Sequence, residues 1–189
     1  MPFTVPAPPP KAIHPLVSPR GSRLATRIWR PTRSRIRAIC LLVHGCGFHS
    51  GYFEGLAGRL NREGVLCIAY DQVCMGYSDP EFDAPTGYIH VKEFAYWIED
   101  LFAAADWAKQ QCSSKPMFLL CEGFGGLQVL AAALDRKLQE HYGIQVSGVI
   151  TLNAQLQMGP LQTPSSIVRM LLSFLEPCYP RVQMMNYQL

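Results

Sequence analysis

Residues 116–126 read Pro-Met-Phe-Leu-Leu-Cys-Glu-Gly-Phe-Gly-Gly, and this stretch decides the fold. The apolar run Pro116 to Cys121 has the length and composition of a strand buried on both faces. It runs straight into a glycine-rich turn, and residues from Gly125 to about Tyr142, rich in leucine and alanine and closed by Gly143, read as a helix. A strand that turns sharply into a helix is the unit from which parallel α/β sheets are assembled.

The same unit recurs on either side. Leu24 to Trp29 alternates as a half-buried strand does. Ile36 to His44 is a near-continuous apolar run ending at glycine, Val65 to Tyr70 is a short buried strand, and Val146 to Leu152 is another. Between them, Tyr52, Phe53, Leu56, Ala57 and Leu60 fall at helical spacing within 51–63, before Gly64. Residues 88–112 read as one long amphipathic helix, with Val91, Phe94, Ala95, Ile98, Leu101, Phe102, Ala105 and Ala108 on one face. The expected fold class is α/β, with a mainly parallel twisted sheet and helices on both faces. The expected organisation is a proline-rich segment over 1–15, a core over 16–155 and a different region over 156–189. In that last region, Thr163 as N-cap and Pro164 in the first turn open a helix over 164–175 that is apolar almost all round.

Composition excludes several classes. Nearly half of the 189 residues are apolar and only 16% are charged, which is a globular composition. A net charge of +3 does not suggest nucleic acid. Seven of the 17 basic residues lie between Arg20 and Arg37, and they read as the solvated face of a β-hairpin. Met1 to Pro10 has no basic start and no continuous apolar core, so no secretion signal is expected, and no run reaches the ~18 apolar residues of a membrane span. Seven cysteines, three of them inside strand-like runs, read as reduced and mostly buried thiols of a cytoplasmic protein.

Three loops fall at the ends of the expected parallel strands, where open α/β sheets bind ligands. They are His44-Gly45-Cys46-Gly47, Asp71-Gln72-Val73-Cys74-Met75-Gly76-Tyr77-Ser78, and Cys121-Glu122-Gly123-Phe124-Gly125-Gly126. In order and interval they resemble the HGxG, DxxGxGxS and GxSxGG loops of α/β-hydrolases of the monoacylglycerol lipase and serine aminopeptidase type. The departures are specific. Cys74 stands where the second motif has glycine, Cys121 where the third has its first glycine, and Gly123 where the third has serine. The resemblance implies an α/β-hydrolase core and hydrolysis of acyl esters by a serine nucleophile, with no cofactor and no metal.

The resemblance also implies where chemistry should sit. The serine of this fold occupies a strained turn, the nucleophile elbow, whose oxyanion donors are the amide of the next residue and one from the first loop. Here those positions are Gly123 for the vacated nucleophile and Phe124 and Cys46 for the donors, with His44, Gly45, Gly47, Glu122, Gly125 and Gly126 shaping the loops and pocket. Glycine at the tip fits the bend and deletes the hydroxyl. The acid and histidine should follow in that order, but His141 lies 18 residues beyond Gly123, about 27 Å along a helix. The chain ends at Leu189 within the part that resembles the lid, so the resemblance implies a core truncated in that region. Losing the nucleophile of such an enzyme costs about 10⁶ in kcat, so no useful hydrolysis is expected.

Cys121 on the strand side of the turn has no histidine base in sequence view, and His44, Cys46 and His49 do not match a zinc spacing. Asp71 and Ser78 read as braces of the second loop, and Tyr52, Phe53, Tyr96 and Trp97 as core. The leading expectation is therefore an inactive relative of the lipases. The alternatives are a truncated serine hydrolase and a non-catalytic lipid-binding or scaffold module. Expected partners are an acyl lipid, a membrane surface touching the 164–175 helix, and a protein pairing with an exposed, apolar sheet edge at 146–152.

Overall fold

The computed structural model describes residues 14–32, 35–79, 91 and 93–154. Six strands form one sheet: β1 (His14–Val17), β2 (Arg23–Trp29), β3 (Ala38–Val43), β4 (Val65–Tyr70), β5 (Met117–Glu122) and β6 (Val146–Leu152). Their order across the sheet is β1-β2-β4-β3-β5-β6. β1 pairs antiparallel with β2 and β2 with β4, whereas β3 runs parallel to β4 and β5, and β5 parallel to β6. The sheet is thus mainly parallel with an antiparallel margin, as the alternation of strands and helices predicts.

Side-chain alternation divides the core in two. On β3, Ile39, Leu41 and Val43 join Leu66, Ile68, Met117, Leu119 and Cys121 against α2 (Phe94–Gln111) and α3 (Gly125–Leu134). Cys40 and Leu42 point the other way and pack with Cys67, Ala69, Leu120, Phe53 and Ala57 under α1 (Glu54–Arg62). Period two in the strands thus sends successive residues to opposite helical layers. The interior cysteines serve as small apolar residues, and burial pushes the Cys67 thiol up to about 12.

Several boundaries differ from the sequence expectation, each for a local reason. The strand β1 begins at His14 inside the segment assigned to the proline-rich stretch. Pro15 is accommodated because β1 is an outer strand, where a missing N–H can face away from the sheet. Within 51–63, a 3₁₀ turn (Ser50–Phe53) precedes α1. The expected 88–112 helix starts only at Phe94, with Glu93 in extended conformation, and residues 80–90 and 92 lie outside the described residues.

The expected 125–142 helix is two, α3 and α4 (Lys137–Tyr142). Asp135 turns extended, and its carboxylate accepts a bond from the Lys137 amide at 3.1 Å, so it starts a new helix instead of continuing the old one. Gly143, with φ +62°, ends α4 as expected.

The arginine-rich hairpin is not uniformly solvated. Arg27 is buried and donates to Ser50 Oγ at 3.0 Å. Arg20 forks between Glu99 (2.7 Å) and the buried Asp100 (2.6 Å) and lies over the Tyr96 ring. Two carboxylates and an aromatic face hold Arg20 and a serine hydroxyl receives Arg27, and sequence spacing shows none of these partners. β6 is the outermost strand among the described residues, with Ile150 and Leu152 exposed. The 164–175 helix lies outside the described residues. No helix of the described residues is long and apolar enough to cross a membrane.

Leu101 sits at the centre of the α2 contact and is wholly buried. Leu101→Ala is expected to cost about 2–5 kcal/mol, read from the urea midpoint at constant m-value.

Candidate functional site

The turn after β5 is the tight bend that the sequence calls for. Gly123 has φ +54°, in the left-handed region that favours glycine, and its amide donates to the Leu152 carbonyl at 3.0 Å. Phe124 is helical and serves as N-cap, and α3 starts at Gly125. The need for glycine at 125 is steric. A Cβ there would stand 2.7 and 2.8 Å from the carbonyl oxygens of His44 and Val43, so the helix start lies directly on the end of β3. At Gly126 a Cβ would collide with Ala154. At the tip the opposite holds, because a Cβ on Gly123 would meet only Gly45 Cα, at 3.9 Å.

The first loop is pinned by a buried histidine. His44 Nδ1 bonds the Gly45 carbonyl at 2.7 Å, and Nε2 accepts from the Gln72 amide at 3.0 Å. This pair of partners requires the neutral ring with its proton on Nδ1. Burial is the main cause that lowers the His44 pKa, opposed by the bond to Gly45 and by the Asp71 charge. With both nitrogens engaged, His44 is a brace and offers no lone pair to a metal. Gly47 follows at φ +80°.

The second loop converges on Asp71, which is wholly buried. Its carboxylate accepts from the Ser50 amide at 2.6 Å and the Tyr77 amide at 2.8 Å. Ser78 Oγ donates to the Asp71 carbonyl at 2.5 Å and accepts from the Ala25 amide at 2.9 Å. The bracing is therefore partly local and partly to β2 and the first loop. A Cβ at Gly76 would run into this carboxylate. Cys74, at the motif's glycine position, has φ +64°, in the left-handed region that favours glycine.

The three loops are joined by residues that carry no motif signature. Gln72 donates to the His44 carbonyl at 2.5 Å and accepts from the buried Gln128 of α3 at 2.7 Å. A lone glutamine in a loop and another on a helix look alike in a sequence, and only the folded chain shows them bonded.

Glu122, before the tip, stands against Gly45, where an added Cβ would approach Glu122 Oε2 to 2.8 Å. Glu122 also lines a cleft of about 580 Å³, with Tyr52, Phe53 and Leu56 on one side and Thr151, Leu152 and Asn153 on the other. Tyr52 is 54% exposed and packs on Phe48, so it belongs to the rim and not to the core as its spacing suggests. Trp97 is buried, and with Phe94 it meets the Phe124 ring edge-on.

No hydrogen bond from the Cys46 or Phe124 amide to another described residue is present. Among the thiols near the turn, Cys121 is wholly buried, points at the Ile150 carbonyl at 3.5 Å, and is pushed up to about 11 by burial and then by Glu122. Burial also raises the Cys46 thiol, although the residue as a whole is exposed. Neither is a thiolate of the kind that attacks carbonyls. Asp135, Glu140 and His141 lie beyond the far end of the ten-residue α3, about 15 Å from its start.

The family model "Serine aminopeptidase, S33" matches residues 34–189. The chain is similar to monoglyceride lipase from Homo sapiens, 31% identical over 121 residues, covering 64% of this chain and 38% of that protein. It is similar to the Rattus norvegicus monoglyceride lipase at 29% over 140 residues, covering 74% and 44%. A soluble variant of monoglyceride lipase from Saccharomyces cerevisiae, solved in complex with a substrate analog, superposes with a TM-score of 0.70 at 19% identity, over 95% of this chain and 54% of that one. The chain spans less than half the length of these curated relatives.

Two substitutions separate space from conformation at the turn. Gly125→Ala forces a Cβ into two carbonyl oxygens and should cost about 3 kcal/mol, against about 1 kcal/mol for Gly123→Ala, which has room but an unfavourable φ. Denaturant midpoints of the two variants give the order. Stability should also fall with acid. Because burial holds the folded His44 pKa below its ordinary 6.5, its contribution is complete above that pH and is lost as pH drops further. Urea unfolding between pH 7.5 and 5.5 measures this slope, and His44→Gln should flatten it.

Proposed function

The chain belongs to the serine aminopeptidase family of α/β-hydrolases, and from that premise we propose that it is a member that binds acyl ligands without hydrolysing them. The observation that carries this reading is the elbow tip: Gly123 at φ +54° puts a hydrogen where the family's reaction needs a hydroxyl. The rest of the turn retains its form. The amides of Cys46 and Phe124 are the oxyanion donors in this reading, left free to hold a carbonyl oxygen. A carbonyl held there meets no nucleophile, since Cys121 is sealed in the core and Cys46 is kept protonated.

The relatives' printed names, monoglyceride lipases, suggest the ligand class: an acyl chain with a small polar head. The open cleft beside the elbow is lined by Tyr52, Phe53 and Leu56 and, opposite them, by Leu152, apolar side chains that can receive such a chain. The reading holds whether this sequence acts alone or within a longer chain. An acid and a histidine supplied from elsewhere would still face a glycine, and loss of the nucleophile alone costs about as much as loss of the whole triad.

The test is labelling with a serine-reactive fluorophosphonate alongside binding of a non-hydrolysable monoacylglycerol ether. The chain should bind the ether and show no labelling. Gly123→Ser should fold, at a cost of about 1–2 kcal/mol for the left-handed φ. Stoichiometric labelling of the unaltered chain at the elbow would overturn the reading.

A further inference from the structure

We propose that the cleft beside the elbow selects cationic amphiphiles, an apolar chain ending in an ammonium group, over neutral and anionic ones. The inference rests on the preceding reading of this cleft as a non-catalytic ligand site.

It starts from Glu122. Its Oε2 is buried and has no hydrogen-bond partner. None of the ion pairs among the described residues includes Glu122, and it has no further interaction beyond those named. Its charge is nevertheless felt nearby, because it helps to raise the Cys121 thiol. The other described residues of the cleft are Tyr52, Phe53, Leu56, Thr151, Leu152 and Asn153, and not one of them is basic. The cleft therefore combines an apolar wall with one negative charge that the described residues do not neutralise.

A carboxylate with one oxygen buried and unpaired gains a partner for its charge from a cation brought into the cleft beside it. Two features fit an ammonium in particular. Tyr52 is more than half exposed at the rim of the cleft, and an aromatic ring there attracts a cation through its face. An ammonium also has only donors, which match an acceptor-only carboxylate, whereas a fatty carboxylate brings like charge against it. Leu56 and Leu152 supply the surface for the chain. The step is one of binding alone, with no bond made or broken.

The experiment uses the full chain and three probes with the same alkyl tail, below their micellar concentrations: decylammonium, decyl glyceryl ether and decanoate, titrated by calorimetry. Decylammonium should bind about tenfold more tightly than the ether, and decanoate most weakly. In Glu122→Gln the ratio of ammonium to ether affinity should shrink to about twofold or less. If that variant does not fold, the salt dependence of the unaltered chain decides, with decylammonium affinity expected to fall as ionic strength rises and ether affinity to stay level. Ether binding without ammonium preference, or a preference that survives Glu122→Gln, overturns this inference and leaves the non-catalytic cleft standing. Failure of all three probes to bind overturns both.

Discussion

The constraint on which the rest of the site depends is the seat of α3 on β3. The backbone of Gly125 lies so near the carbonyls of Val43 and His44 that no side chain fits between them. The end of β5, the bend at Gly123 and the start of α3 are therefore positioned by contacts that need no side chain on the tip residue. Around that seat, His44, Asp71, Gln72 and Gln128 form a buried polar frame in which each loop is bonded to another. A network of this kind is stable when its members are satisfied and costly when one is removed. The frame keeps the bend through groups that lie away from its tip.

The two positions where the loops depart most from the family motif go in opposite directions. At Gly123 a left-handed φ is filled by the residue that tolerates it best, so strain is absent. At Cys74 a left-handed φ is held by a residue that tolerates it poorly, at a cost of about 1–2 kcal/mol per residue. The second loop keeps this conformation because Asp71, at its start, is tied to its end through the Tyr77 amide and to the 3₁₀ turn through the Ser50 amide. A loop held by a buried carboxylate can carry a strained residue, and a loop held only by its own turn could not.

Much of this was legible before the chain was folded, because period and punctuation are local signals. The strands ending at Val43, Tyr70 and Glu122 announce themselves by apolar runs stopped by glycine or a polar residue, and the close approach at Gly125 follows from the turn type. What was not legible depends on partners distant in sequence. Arg27 reads as a surface charge until Ser50, 23 residues away, is seen to receive it. Gln128 reads as an incidental polar residue on an apolar helix until Gln72 is seen across from it, 56 residues away. Tyr52 shares its spacing with true core residues, and only the end of the 3₁₀ turn beside an open cleft places it on the rim. The break at Asp135 was hidden because leucine and alanine run up to it without a glycine or proline to mark the end.

The central claim is that a well-formed elbow carries no reacting group, and pre-steady-state ester cleavage tests it most directly. With enzyme in excess over a chromogenic acyl ester, an attacking residue releases alcohol in a rapid phase as it takes up the acyl group. The chain should show no such phase and only the slow background of buffer. A rapid phase that consumes one ester per chain and is lost on blocking the turn with Gly123→Val would contradict the account.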